Sequence, residues 1–249
     1  MREPTEHLTL AMEESRKTIL LFGASGAIGS TIADTFLSRN WHVVGVTRRE
    51  DSLQANGMTW LAADPLSSDV AADVYDQHAP YHAVCWAQGG NVNDSVYDVD
   101  MGAHLQLYQA NCVYILSSLK LLLQRNLLAK PARLCVISSI WQEIARQNKL
   151  SYGMTKSALR GLVLSAAADL AADGHLVNAI LPGALDTPMT RKNLTAEQIG
   201  ELAGATQFNR LPQLEDVSRL AMFLCSEENT GITGQFIAAD LGFSRVRIL

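Results

Sequence analysis

Thr18-Ile-Leu-Leu-Phe22-Gly23-Ala-Ser-Gly26-Ala-Ile-Gly29 is the stretch whose reading decides how this chain folds. A short apolar, β-rich run leads straight into three glycines spaced three apart, and Ala27 to Arg39 beyond them carries helical spacing. A glycine turn between a strand and a helix lets the backbone come close to a pyrophosphate, and the open amides and dipole at the helix start favour its negative charge. The alternative is a plain tight turn, and the position in a first βαβ unit argues against it. Gly23, Ser25, Gly26, Ile28 and Gly29 are therefore the candidate residues of a dinucleotide-binding turn.

Outward from this turn, strand and helix patterns alternate. His42 to Thr47, Met58 to Ala62, His82 to Ala87, Ala132 to Ser139, Leu176 to Leu181 and Gln235 to Ala239 read as further strands, several apolar almost throughout, as parallel strands covered on both faces are. Ser67 to His78, Ala103 to Leu128, Ser151 to Ala172 and Leu214 to Cys225 read as helices, with Leu116, Leu119, Leu123 and Leu127 marking one buried stripe. The pattern predicts an α/β fold: a doubly wound parallel sheet of the Rossmann type with about seven strands in a single domain. Residues 1–17 are expected to form a polar N-terminal extension and 18–249 a single Rossmann-type domain.

Composition narrows the function classes. The 249 residues are 48% hydrophobic, enough for a sizeable core, and the net charge of −5 with scattered basic residues argues against nucleic acid as a partner. Cys85, Cys112, Cys135 and Cys225 form no CxxC and read as reduced, buried thiols, so no metal is assigned. No apolar run approaches the ~20 residues of a membrane span, and the first 17 residues lack the apolar core of a signal peptide, which leads us to expect a cytoplasmic protein with no membrane partner.

Two further stretches carry chemistry. In Tyr152-Gly-Met-Thr-Lys156 a phenol and an ammonium four residues apart share one helix face and can work as an acid/base pair. Val136-Ile-Ser138-Ser139 ends an apolar run 13 residues earlier. Alone, Tyr-x-x-x-Lys is weak, since the composition yields it by chance in about one chain in seven. At the end of the second strand, Arg48 and Arg49 stand where a carboxylate would bind the ribose 2′-hydroxyl of NAD; an arginine suits a 2′-phosphate, so NADP(H) is favoured over NAD(H), the alternative being arginines that solvate a loop.

Gly23, Gly26, Gly29, Ser139, Tyr152 and Lys156 in this order resemble the short-chain dehydrogenase/reductase family, from about Thr18 to Phe243, and in particular its single-domain, 3-oxoacyl-carrier-reductase-like members. Asn178, Pro182-Gly183 with Thr187, and Ile232-Thr-Gly234-Gln235 match further landmarks. The resemblance implies an NAD(P)(H)-dependent oxidoreductase acting between a ketone and a secondary alcohol. It implies Tyr152 as general acid, Lys156 on the nicotinamide ribose and favouring the phenolate, Ser139 on the substrate oxygen, and Asn111 in a proton relay. Asp64 would approach the adenine, and Ala87, Gln88, Pro182, Gly183 and Thr187 would border the dinucleotide. The family's Asn-Asn-Ala-Gly is replaced by Cys85-Trp86-Ala87-Gln88, which is expected to put an indole and an amide near the cofactor. The GxxGxxG spacing is like that of extended members, but the length, with ten residues after the last expected strand, leads us to expect a single-domain member instead.

Trp86, Ser139, Trp141 and Arg146 are the candidate substrate residues, with Lys149 nearby. An aromatic and two cations suit a sugar or an anionic carrier arm; the alternative is that the cations are solvated or meet a second subunit. Thr187 to Gly204 reads as a substrate lid. The partner expected is a small-molecule or carrier-bound carbonyl compound. A 3-oxoacyl-carrier-protein reductase, a keto-sugar reductase and a non-catalytic dinucleotide-binding regulator stay open as alternatives. Relatives pair through the two long helices, here with Leu105, Tyr108, Cys112, Ile115, Leu159, Leu162, Val163 and Ala166, which implies a homotetramer or homodimer.

Overall fold

The structure, a computed structural model, describes residues 16–48, 57–67, 72–187, 190–191 and 194–246. Its seven strands are β1 (Thr18–Phe22), β2 (His42–Thr47), β3 (Thr59–Ala62), β4 (Tyr81–Trp86), β5 (Leu128–Ile137), β6 (Leu176–Pro182) and β7 (Phe236–Ala239). They form one parallel sheet in the order β3-β2-β1-β4-β5-β6-β7, the doubly wound arrangement expected. The order reverses between β1 and β4, and at such a point the connections leave in opposite directions and open a crevice at the carboxyl ends of the strands.

Alternation along the strands divides the core. Leu20, Phe22, Val84, Trp86, Leu134 and Val136 face one side, while Ile19, Leu21, Ala83, Cys85, Cys135 and Ile137 face the other. The first side is covered by α3 (Tyr114–Gln124) and α4 (Leu150–Asp169), with α2 (Met101–Tyr108) packed against α4, and the second by α1 (Ala27–Ser38) and α6 (Leu214–Cys225). A short α5 (Ala196–Gly204) stands outside both layers, closed by a capping box between Thr195 and Gln198. All four cysteines are buried and free.

Three elements differ from expectation. The single helix expected over Ala103–Leu128 is two helices joined by a π turn at Gln109–Val113. The buried face of α3 is Ile115, Leu119 and Leu122, whereas Leu116 is 56% exposed; the wider π turn rotates the later turns, so the stripe expected through Leu116 does not hold. Between β3 and β4 the described part of the expected helix is a 3₁₀ segment, Ala72–His78, ending just before Pro80.

Candidate active site

The glycine turn follows β1 at the point where β4 diverges. Gly23 lies at φ +75°, and a β-carbon there would come within 2.5 Å of the Gln88 amide nitrogen. At Gly29 it would lie 2.1 Å from the Gly23 carbonyl oxygen, so these two glycines let the β1 turn, the β4 turn and α1 pack against one another. The Ala87 amide completes the junction by donating to the Phe22 carbonyl at 2.9 Å. Ser25 and Gly26 are exposed, and α1 begins without a side-chain cap or an acidic residue in its first turn, which leaves its leading amides open to an anion. Ile28 is half-buried and packs against the core behind the turn.

Both polar atoms of the Gln88 side-chain amide are buried without a protein partner. A buried amide in that condition costs about 1–3 kcal/mol, so its place beside the turn fits a ligand that supplies the missing donor and acceptor. Asp64 follows β3 and accepts from the Leu66 amide at 3.0 Å. Arg48 is exposed just beyond β2, and Arg49 lies outside the described residues. At the other end of the crevice Pro182 closes β6, the Gly183 amide donates to the Ala239 carbonyl at 3.1 Å, and buried Thr187 accepts from the Thr190 amide at 3.1 Å. Together, a tight glycine turn, an uncapped helix start and an orphaned amide fit a dinucleotide.

Ser139 stands past the end of β5, buried, with its hydroxyl accepting from the Trp141 amide at 3.3 Å and sharing a hydrogen bond with the Tyr152 phenol. Tyr152 and Lys156 lie one turn apart on α4. The Lys156 ammonium is buried, donates to the Ile137 carbonyl at 3.2 Å and lies 5.6 Å from the centre of the Tyr152 ring. Burial brings its pKa down to about 8 and pushes the Tyr152 phenol up, while the Ser139 hydrogen bond works the other way on the phenol. The arrangement is a donor aimed at one small volume, with a cation behind it and the glycine crevice beside it.

The family model described as Enoyl-(Acyl carrier protein) reductase matches residues 23–244. The chain belongs to the short-chain dehydrogenase/reductase family. It is an NAD(P)(H)-dependent oxidoreductase. It is 28% identical to "Uncharacterized oxidoreductase YmfI" of Bacillus subtilis, over 91% of this chain and 98% of that one. It is 24% identical to "3-oxoacyl-[acyl-carrier-protein] reductase FabG" of Salmonella typhimurium, over 92% of this chain and 98% of that one. Among solved structures, a short-chain type dehydrogenase/reductase from Mycobacterium ulcerans superposes with a TM-score of 0.83 at 28% identity, covering 93% of this chain and 90% of that one.

Within this short-chain dehydrogenase/reductase, one expected residue sits elsewhere than its role requires, and a second is held by bonds the sequence does not show. Trp86 is 1% exposed and faces the core, its ring stacked on Phe22 at 5.9 Å and its indole donating to the Ser118 hydroxyl at 2.8 Å. It does not line the substrate mouth: its ring packs inward against Phe22 and its indole is taken up by Ser118, beneath α3. The Asn111 side chain is fully engaged: Oδ1 accepts from the Gly90 amide at 2.7 Å, and Nδ2 donates to the Thr155 hydroxyl at 2.9 Å. It clamps the loop after β4 to α4.

Some site residues escaped the sequence. Asp94 accepts from the Ser151 amide at 2.9 Å and from the Ser151 hydroxyl, and the His104 ring meets that hydroxyl at 2.8 Å, so three elements converge just before Tyr152. No local pattern marks Asp94, since the helix it caps begins more than 50 residues later.

Immediately beyond Ser139 lies a small apolar cavity of about 10 Å³, lined by Ile140, Trp141, Leu202, Leu211, Pro212 and Phe243, with Thr206 and Asp240 at its wall. Phe243 meets Trp141 edge-on at 6.2 Å, and the Arg146 guanidinium lies over the same indole at 5.8 Å.

Proposed function

We propose that this chain is an NADP(H)-preferring reductase of neutral ketones that carry an apolar arm, working in the cytoplasm. The observation that carries this reading is the Ser139, Tyr152 and Lys156 cluster at the mouth of the dinucleotide crevice, with an apolar cavity beside it. Gly23, Gly26, Gly29, the leading amides of α1 and Gln88 would hold the dinucleotide, with Asp64 toward the adenine and Arg48 and Arg49 toward a 2′-phosphate. When bound, that group supplies the hydride.

The protein's own residues handle the oxygen. As negative charge grows on the carbonyl oxygen, the Ser139 hydroxyl donates to it and the Tyr152 phenol hands over its proton. The Lys156 ammonium, held by the Ile137 carbonyl, offsets the charge left on the phenolate, which its own burial disfavours.

The polar groups around the cavity argue for an apolar arm. The Asp240 carboxylate accepts from the Gly242 amide at 3.0 Å, the Ser244 amide at 2.9 Å and the Ser244 hydroxyl at 2.5 Å. The Thr206 hydroxyl donates to the Arg210 carbonyl at 2.8 Å. Nearby cations are also engaged, Arg245 with Glu143 at 2.6 Å and Lys149 with Asn91 at 2.8 Å. Free sugars, which need unspent hydrogen-bonding groups, fit this lining poorly. A carrier-bound 3-oxoacyl chain is the second reading, favoured by the same apolar lining.

NADPH oxidation assayed against aliphatic and aryl ketones, 3-oxoacyl thioesters and keto-sugars, repeated with NADH, tests the reading. An apolar ketone with NADPH is expected to give the largest kcat/KM, about tenfold or more above NADH, as one added charge-assisted contact provides. Keto-sugars turned over best, or equal use of NADH, would remove it. Assembly belongs to the same proposal: Met101, Leu105, Tyr108 and Leu116 leave an exposed apolar stripe along α2 and α3, which supports pairing of subunits into a dimer or tetramer.

A further inference from the structure

Helix α4 starts with a charge in an unfavourable place. Its N-cap residue is Lys149, which makes no side-chain capping bond. N-caps favour Ser, Thr, Asp or Asn, and an ammonium near a helix N-terminus opposes the helix dipole. Capping has been handed to another residue: the Asp94 carboxylate accepts from the Ser151 amide at 2.9 Å, and the Asp94 carbonyl accepts from the Leu150 amide at 3.1 Å.

What Lys149 does instead is held firmly. Its ammonium donates to Asn91 Oδ1 at 2.8 Å and to Asn93 Oδ1, both on the loop that follows β4. So anchored, it lies 5.7 Å from the centre of the Tyr152 ring, against 5.6 Å for Lys156. The side chain is half-buried, so water screens it incompletely. Sequences break a local rule of this kind most often where function requires it.

We propose that Lys149 is a second cation of the active site, a positioning residue that acts through Tyr152 by favouring its phenolate together with Lys156. This inference rests on the reading of Tyr152 as the proton donor. The groups facing the phenol and its two lysines are few. Ser139 shares its hydrogen bond with the phenol from the end of β5, and Cys112 faces Lys156 from the π turn. Arg146, from the segment before α4, and Asp94, from the loop after β4, face Lys149 with opposite sign. His104 of α2 reaches only Ser151, one residue before the phenol. Burial and Arg146 make it harder for Lys149 to keep its proton, and the Asp94 carboxylate works against that.

The sign follows directly. A cation beside the ring lowers the pH at which Tyr152 ionises, so removing it moves that midpoint up. The test is tyrosinate absorbance after a stopped-flow pH jump, read before the fold is lost, as the difference between each protein and its Tyr152→Phe counterpart. Lys149→Met is expected to raise the midpoint, and Lys149→Arg, whose guanidinium stays charged, to restore it or lower it further. The pH limb of turnover is expected to move with it. Lys149→Gln serves in place of Lys149→Met should the latter fail to fold. An unmoved midpoint in a folded Lys149→Met or Lys149→Gln protein, or no recovery with arginine, overturns the proposal. Because absorbance reads the phenol without substrate or dinucleotide, it stands apart from any failure of the ketone assay.

Discussion

Gln88 and Trp86, two residues apart, show what one strand end can hide. Both replace residues of the family pattern, and both were expected beside the cofactor. Only Gln88 stands at the glycine turn. Its backbone closes on Gly23, and its amide is buried with neither atom paired, while Trp86 has turned into the core with its indole satisfied by Ser118. Period-two alternation says that Cys85 and Trp86 point to opposite faces, yet not which face holds which helices, so the place of the indole could not be read from the sequence. The orphaned amide leads to a prediction. Gln88→Leu removes a buried polar group that the free protein leaves unsatisfied, so thermal stability without ligand is expected to hold or rise. NADPH binding, measured by isothermal titration, is expected to weaken about tenfold, the loss of one or two hydrogen bonds. Unchanged affinity would place the amide outside the dinucleotide site.

At the scale of elements, the glycine turn and the seven strands were readable because each follows from local chemistry: φ > 0 at Gly23, apolar runs at the buried strands, helical spacing at α1 and α6. The π turn at Gln109–Val113 was not, since Ala103 to Leu128 keeps unbroken helical character and the widening is imposed from outside. Asn111, inside that turn, is pinned to Gly90 and Thr155, and these tertiary bonds have no trace in spacing. The next turn carries Ser118, which accepts from the Trp86 indole and donates to the Tyr114 carbonyl. Ser118→Ala leaves a buried indole N–H without a partner and is expected to cost about 1–3 kcal/mol, against about 0.5 kcal/mol or less for Ser117→Ala, in denaturant unfolding. Equal effects at the two serines would mean that the indole is satisfied by other means.

For the whole molecule, the buried phenols set an alkaline limit. Burial pushes Tyr75, Tyr81 and Tyr114 far above the usual range, so above about pH 10 the unfolded chain loses protons that the folded one keeps. Stability therefore falls with rising pH, by up to about 1.4 kcal/mol per unit for each phenol. Lys156 works in the opposite sense. Its folded pKa of about 8 lies below the unfolded value, so between the two the unfolded chain binds more protons and stability rises with pH. Melting temperatures measured from pH 7 to 11 are expected to hold or rise slightly to about pH 10 and then drop; a steady decline from pH 8 would contradict this assignment of buried groups. In the proposed reaction Tyr152 is the group that moves the proton. Single-turnover NADPH oxidation by Tyr152→Phe, with dinucleotide affinity measured on the same sample, separates that role from binding. We expect affinity within about twofold of the parent and a rate lower by about 100-fold or more, the usual contribution of a general acid. A rate equal to the parent's at equal affinity would show that Tyr152 is not the proton donor.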